Sequence, residues 1–397
     1  MGKKMTEHVE WTGKIDWELK TFHGHELSTH RGSSYNSYLV KGEKTALLDT
    51  VWGPYRKEFV DNLQVSPGLD KIDYVIMNHN EPDHSGSLPE LMKKIPDVPV
   101  YCTANGEKII RGEYHLDLNF HVVKTGDTLD LGDGVVLTFI EAPMLHWPDT
   151  MFTYLNADGG ILFSNDGFGQ HLAANELYAD TADESELYYE AMKYYANILN
   201  TYSPMVTAKI KAILGMNLPL SIIAPSHGLI WRKDPQQIVN KYLEWADAYQ
   251  EDRITVIYDT MWNSTRRMAE CISEGIGEAS PGTTVKVMDA SVADKNDILT
   301  EIFRSKAIVV GSPTINNTVS YAIAGLLDMA KGLKFKKKKA AAFGSYGWSG
   351  EGCKVVTGFL KEAGFDVVND GIRVMWAPDQ AALDSCTEFG REFVKAL

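Results

Sequence analysis

His79-Asn80-Glu81-Pro82-Asp83-His84 sets four side chains able to hold a metal ion within six residues. The run follows an apolar stretch, DYVIM at 73–77, and precedes a helical one at 88–94, so it reads as a loop at the carboxyl end of a strand. A loop can aim several side chains at one point, whereas a helix or strand spreads them over different faces. Three more residues of ligand type follow later strand candidates: His146 in APMLHWPD, Asp166 in LFSNDGFG and His227 in APSHG. The inventory is four imidazoles and three carboxylates. Two divalent ions would bring four positive charges against three negative ones, and a bridging hydroxide would take up the last. Donors of this kind suit zinc, iron and manganese alike, so the residues alone leave the metal open.

Around that loop the chain reads as mixed α/β. Strands SYNSYLV and KTALLDT are joined by the turn KGEK, and further strands are predicted at 98–102, 135–140, 151–155, 161–164 and 221–224. Helical stretches fall near 184–199 and 205–214. At 397 residues the chain exceeds one ordinary core, which stops growing near about 250–300 residues. The helical spacing of 235–250 ends at EDR and the pattern then restarts, which sets a boundary near residue 252. Residues 1–252 are the expected metal-bearing domain and 253–397 the second. The latter holds five apolar strands, ITVIY (254–258), TVKVMDA (284–290), AIVVGS (307–312), AAAFGS (340–345) and FDVVN (365–369), alternating with helix-length segments. That pattern predicts a doubly wound five-stranded parallel sheet, whose ligands sit at the carboxyl ends of its strands.

Three loops in the second domain occupy those ends. The first, after ITVIY, is Asp259-Thr260-Met261-Trp262-Asn263-Ser264-Thr265, entering a helix. A hydroxyl-rich loop at a helix start is an anion site, because free N–H groups and the helix dipole face the phosphate. The second is Ser312-Pro313-Thr314-Ile315-Asn316-Asn317 and the third Gly344-Ser345-Tyr346-Gly347-Trp348-Ser349-Gly350. Trp348 or Tyr346 can cover a flavin face, and Asn316 or Asn317 can bond its polar edge. No GxGxxG follows a strand, so FMN fits better than NAD or FAD.

Composition narrows the class further. With 44% hydrophobic and 23% charged residues the chain is globular, and a net charge of −14 disfavours nucleic acid. No apolar run approaches the roughly 20 residues that span a bilayer, and the first residues lack a signal-peptide core, so a cytoplasmic protein is expected. The basic run KFKKKK, Lys334 to Lys339, reads as a solvated face, with docking of an acidic partner as the alternative. Cys102, Cys271, Cys353 and Cys386 form no CxxC pair, which argues against zinc ribbons, iron–sulfur clusters and rubredoxin-type iron. All eleven histidines lie at or before His227, so the two halves differ in chemistry.

HxExDH followed by single His, Asp and His resembles the metallo-β-lactamase superfamily, in the variant where Glu replaces the second His of HxHxDH. Joined to a flavodoxin-like second domain, it resembles the flavodiiron proteins over almost the whole chain. The resemblance implies an αββα sandwich followed by a flavodoxin-like sheet. It further implies that His79, Glu81 and His146 hold one iron, that Asp83, His84 and His227 hold the other, and that Asp166 bridges them. His23 and Tyr194 match a histidine and a tyrosine beside the open face of the irons. Asp49 is read as orienting a ligand rather than binding metal, and His171, in FGQH, is a candidate for similar support. His8, His25, His30, His115 and His121 match no ligand position. The implied activity is reduction of O2 to water, of NO to N2O, or both, with FMN passing electrons inward. Family members are head-to-tail homodimers, alone or as dimers of dimers. Because no rubredoxin-like cysteine set or extra flavin domain follows residue 397, the expected donor is external, a rubredoxin-like protein or a reduced diffusible cofactor. Two rivals remain: a zinc hydrolase, opposed by Glu81 and the flavin-type domain, and an electron carrier with a vestigial metal domain, opposed by the complete ligand set.

Overall fold

Tyr38 and Val40 alternate with their neighbours along one strand and, across the turn, Ala46 and Leu48 do the same, so all four point to one side of a sheet. The computed structural model, which describes residues 2–397, builds that sheet from seven strands. Their order is Lys3–Lys4, Val9–Trp11, Tyr38–Lys41, Thr45–Leu48, Tyr74–Ile76, Val100–Cys102 and Phe120–Val122. A second sheet orders Thr128–Asp130, Val136–Glu141, Met151–Leu155, Ile161–Asn165 and Ile222–Pro225. Leu137, Phe139, Met151, Phe163 and Ala224 of the second sheet share one buried cluster with Tyr38, Val40, Ala46, Leu48 and Ile76 of the first. Each large apolar side chain removed from water there contributes about 1.5–3 kcal/mol. Helices Arg56–Val65, Leu88–Met92 and Ala104–Tyr114 accompany the first sheet and Ser203–Gly215 the second, each with one buried face, giving an αββα sandwich.

Strand direction decides where the chemistry lies. Thr45–Leu48 and Tyr74–Ile76 run parallel, so Asp49 and the loop 77–84 leave the first sheet at one edge. In the second sheet Ile161–Asn165 and Ile222–Pro225 are parallel, and Val136–Glu141, two antiparallel steps away, shares their direction. His146, Asp166 and His227 therefore all follow carboxyl ends.

The chain divides into two units, one made of residues up to Tyr194 with Tyr202–Leu243, the other of Tyr195–Thr201 with Glu244–Leu397. The second unit opens its sheet with Glu251–Tyr258 and orders its strands Thr284–Asp289, Glu251–Tyr258, Ser305–Gly311 and Lys339–Tyr346, all parallel. Its fifth strand is broken, because Asp366–Val367 and Ile372–Met375 both pair with Lys339–Tyr346. Gly371, at φ 79°, lies in the break, and a Cβ there would stand 2.5 Å from the Ala342 carbonyl oxygen. The strand expected at 365–369 therefore resumes at Ile372–Met375, past Asn369-Asp370-Gly371, whose composition is that of a turn. Helices Ser264–Ala279 and Gln380–Lys395 pack together through Gly275 and Gly390. Lys334, Lys336 and Lys337 of the basic run are exposed, as a solvated face requires, but Lys338 is only 2% exposed, and its amine donates to three backbone carbonyls.

Candidate metal centre and flavin crevice

The structure brings all seven ligand-type residues together. Donor atoms of His79, Glu81, His146 and Asp166 lie within 4.8 Å of one another, and those of Asp83, His84 and His227 form a second such group. Asp166 faces both. Its Oδ2 is 3.5 Å from His79 Nε2 and 3.4 Å from His146 Nε2, while its Oδ1 is 3.0 Å from His84 Nε2 and 3.6 Å from His227 Nε2. Glu81 Oε2 is 3.3 Å from both His79 Nε2 and His146 Nε2, and Asp83 Oδ2 is 3.0 Å from His227 Nε2.

The donor set fits a pair of cations. Asp83, Asp166 and His84 are buried, yet their side-chain oxygens and nitrogens have no well-aligned hydrogen-bond partner among the described residues. Unsatisfied groups of this kind are costly unless something else binds them. Burial alone would favour the neutral forms, but His84 and His227 hold the Asp83 carboxylate below the usual range, and His84 and His146 hold Asp166 well below it. Against the same burial, Asp83 and Asp166 raise His84 to about 9, and Asp166 and Glu81 raise His146 to about 9.

Supporting contacts fix several of these side chains. His227 donates from Nδ1 to the Ser34 carbonyl at 2.7 Å, which turns Nε2 inward. Asp49 takes hydrogen bonds from the Asn78 backbone at 2.7 Å and its side chain at 2.9 Å, so it braces the start of the loop. His171 is buried; its Nδ1 is 3.0 Å from Ser33 Oγ and its ring 5.0 Å from that of His227. Burial, then the charges of His227 and His23, keep it neutral. His23 Nε2 is 3.0 Å from Glu81 Oε1, and the Tyr194 ring is 5.0 Å from His171 and 6.2 Å from His227, so both predicted neighbours stand beside the cluster. His8 pairs with Asp158 and His121 stacks on Tyr101, both away from it. One contributor went unseen in the sequence: Asp149, whose carboxylate lies 3.1 Å from His79 Nδ1. Its only signal was its place three residues after His146 in the same loop.

In the second unit the strand order reverses direction between Glu251–Tyr258 and Ser305–Gly311, which opens a crevice at their carboxyl ends. A cavity of about 410 Å³ sits there, lined by Thr260, Met261, Pro313, Ile315 and Asn316 among others. Two hydroxyls on its wall, Thr260 Oγ1 and Ser320 Oγ, are buried without a partner among the described residues, as suits a site made for a polar ligand. Asn263 takes the left-handed conformation at φ 65° just before the helix, which explains how it stands where a glycine is usual. The third loop is tied to the other two: Ser345 Oγ meets Thr265 Oγ1 at 2.8 Å, Thr314 N donates to Ser345 O at 2.9 Å, and Ser349 Oγ donates to Asn317 Oδ1 at 3.3 Å. Trp262 in the first loop, Trp348 in the third and Tyr321 at the start of helix Tyr321–Leu333 are 84, 87 and 85% exposed, flat faces free to cover an isoalloxazine ring. Ser320 and Tyr321 were missed in the sequence, because VSYA reads only as the start of a helix.

A family model described as ODP family beta lactamase matches residues 34–228, and a flavodoxin model matches 256–390. The anaerobic nitric oxide reductase flavorubredoxin of Aeromonas hydrophila subsp. hydrophila is 51% identical over 396 residues, spanning 100% of this chain and 80% of that protein. Its counterpart in Klebsiella pneumoniae subsp. pneumoniae is 52% identical over 389 residues, spanning 98% and 80%. Among solved structures, the rubredoxin oxygen:oxidoreductase of Desulfovibrio gigas has a TM-score of 0.95 at 35% identity, covering 100% of this chain and 98% of that one. The flavodiiron protein of Giardia intestinalis has a TM-score of 0.93 at 32% identity, covering 100% and 96%. With two groups of ligand-type side chains on an αββα sandwich and a flavodoxin crevice in one polypeptide, and relatives of about 50% identity that match nearly all of it, the chain belongs to the flavodiiron protein family.

Proposed function

We propose that the chain is an oxidoreductase that reduces NO to N2O, O2 to water, or both, at a pair of non-haem irons, with electrons arriving through FMN from an external donor. The observation that carries this reading is Asp166, whose two oxygens face two separate sets of ligands. In it, His79, Glu81 and His146 would hold one iron and Asp83, His84 and His227 the other, with Asp166 shared between the two sets and a hydroxide balancing the charge. When bound, two ferrous ions and a two-electron-reduced flavin supply the four electrons that turn one O2 into two waters.

The chain's own residues prepare the space around that chemistry. Phe22 stacks on His23 at 4.5 Å and meets His227 edge-on at 5.9 Å, so an apolar wall excludes water from one side. Burial, then the charge of Asp166, keeps the Tyr194 hydroxyl protonated far above its usual range, and His23 offers an N–H at Glu81; both are placed to hold protons beside the cluster. In the crevice, Thr260, Ser264 and Thr265 with the first amides of helix Ser264–Ala279 suit a phosphate, and Asn316 or Asn317 the flavin's polar edge. Tyr346, Gly347, Trp348, Ser349 and Gly350 would supply the cover, together with Trp262 of the first loop.

The relatives named nitric oxide reductases make NO the gas to assay first. The Desulfovibrio gigas structure, named a rubredoxin oxygen:oxidoreductase, supports a rubredoxin-like donor and O2 as the second gas. No helix among the described residues is long and apolar enough to cross a membrane. The reading further takes the protein as a cytoplasmic head-to-tail homodimer or a dimer of dimers, as the family resemblance implies. The test is gas consumption with a chemical or rubredoxin-type reductant. His79→Ala and Asp83→Asn should each lower it at least about 100-fold while FMN stays bound, since a metal supplies several kcal/mol of stabilisation. Full activity in a metal-poor variant would overturn the reading.

A further inference from the structure

The two halves of the metal cluster are backed differently. Behind His79 stands a buried carboxylate: Asp149 Oδ1 is 3.1 Å from His79 Nδ1, and both side chains are fully enclosed. Asp149 is itself held in place. Its Oδ2 accepts from the Asn80 backbone N–H at 2.8 Å and from Asn80 Nδ2 at 3.0 Å, and its carbonyl accepts from Thr103 Oγ1 at 2.9 Å. The clamp fixes the His79 ring with Nδ1 carrying the proton and Nε2 aimed at Glu81 and Asp166. In the other half, His227 leans on the neutral carbonyl of Ser34, and His84 Nδ1 has no hydrogen-bond partner among the described residues. One half therefore has Glu81 in contact and Asp149 hydrogen-bonded behind, whereas the other has Asp83 in contact and, among the described residues, no carboxylate hydrogen-bonded behind His84 or His227, Asp49 acting on His84 through charge only; Asp166 gives one oxygen to each.

A carboxylate behind a ligating imidazole pins its orientation and makes it a stronger donor, and losing such a partner costs about 10- to 100-fold in metal affinity. We propose that Asp149 is a positioning residue that makes the two metal positions unequal, so that an ion at His79, Glu81 and His146 leaves more slowly than one at Asp83, His84 and His227. The inference rests on the two-metal reading given above.

The test uses the full chain loaded anaerobically with Fe(II), mixed with excess of a coloured Fe(II) chelator, and iron release is followed by absorbance. The wild-type chain should lose its iron in two phases of one ion each. Asp149→Asn, which keeps shape and removes charge, should speed the slow phase about 10- to 100-fold and leave the fast phase and the FMN content unchanged. A structural role would instead move both phases and the flavin. Asp83→Asn gives a second readout that does not depend on the Asp149 variant folding: its one remaining ion should leave at the slow rate. A single phase in the wild type, an Asp149→Asn effect on the fast phase, or fast release from Asp83→Asn overturns the inference. Loading that stops at one ion per chain overturns the two-metal reading beneath it.

Discussion

The ammonium group of Lys338 is enclosed by the carbonyl oxygens of Tyr249, Phe303 and Ser305 at 2.9, 2.7 and 2.7 Å. Burial pushes its pKa down to about 7, with the charge of Glu251 opposing. Below that value both folded and unfolded chains carry the proton. Between it and the unfolded value of 10.5 only the unfolded chain does, so stability rises with pH across that window. Relative to Lys338→Met, the wild-type chain should gain up to about 1.4 kcal/mol per pH unit above pH 7. Urea unfolding at pH 6 and pH 9 measures this, and an equal gap at both would contradict it. Thr260 makes a second residue-scale case. Its buried hydroxyl has no partner within the described chain, so Thr260→Val should leave the flavin-free protein no less stable, yet weaken FMN about 10- to 100-fold if a phosphate is what the hydroxyl serves. Flavin fluorescence titration decides it. At this scale the clustering of the seven ligand-type residues was legible, because four of them sit in six residues and the rest end strands. Asp149 was not, since it meets His79 only through the fold, 70 positions away. Nor was Lys338, which one cannot tell from its neighbours in a run of like residues.

Loops at strand ends do the positioning, and their backbone limits what can change. Asn263 holds φ 65° at the turn into helix Ser264–Ala279. Asn263→Ala should cost about 1–2 kcal/mol and weaken FMN, while Asn263→Gly should be nearly neutral; urea unfolding and flavin titration separate the two. Gly344 is tighter still, since a Cβ there would stand 2.3 Å from the Ser312 carbonyl oxygen. Gly344→Ala must push apart the strands that carry the second and third flavin loops, and FMN content should fall in the purified protein. Alternation of strands and helices made most elements of the second unit readable from sequence. The broken fifth strand was hidden because its interruption, Asn369-Asp370-Gly371, has the composition of a turn whether or not a strand resumes. The lysine run lies at the amino end of strand Lys339–Tyr346, of which Lys339 is the first residue, while the third loop leaves the strand's carboxyl end.

For the molecule as a whole, two units with different chemistry share one chain, and a gas reductase needs both: ligands for two irons in the first, a crevice for FMN in the second. The αββα sandwich was legible only through the resemblance of its motif, because short strands such as Tyr74–Ile76 carry little periodicity of their own. The parallel sheet was legible directly, because Ile254–Tyr258 and Ala307–Gly311 are near-continuous apolar runs of the kind that a sheet buried on both faces requires. Metal and flavin stoichiometry on protein purified without oxygen, by elemental analysis and the absorbance of released flavin, tests the central claim most directly. The account predicts two irons and one FMN per chain; two zincs and no flavin would contradict it.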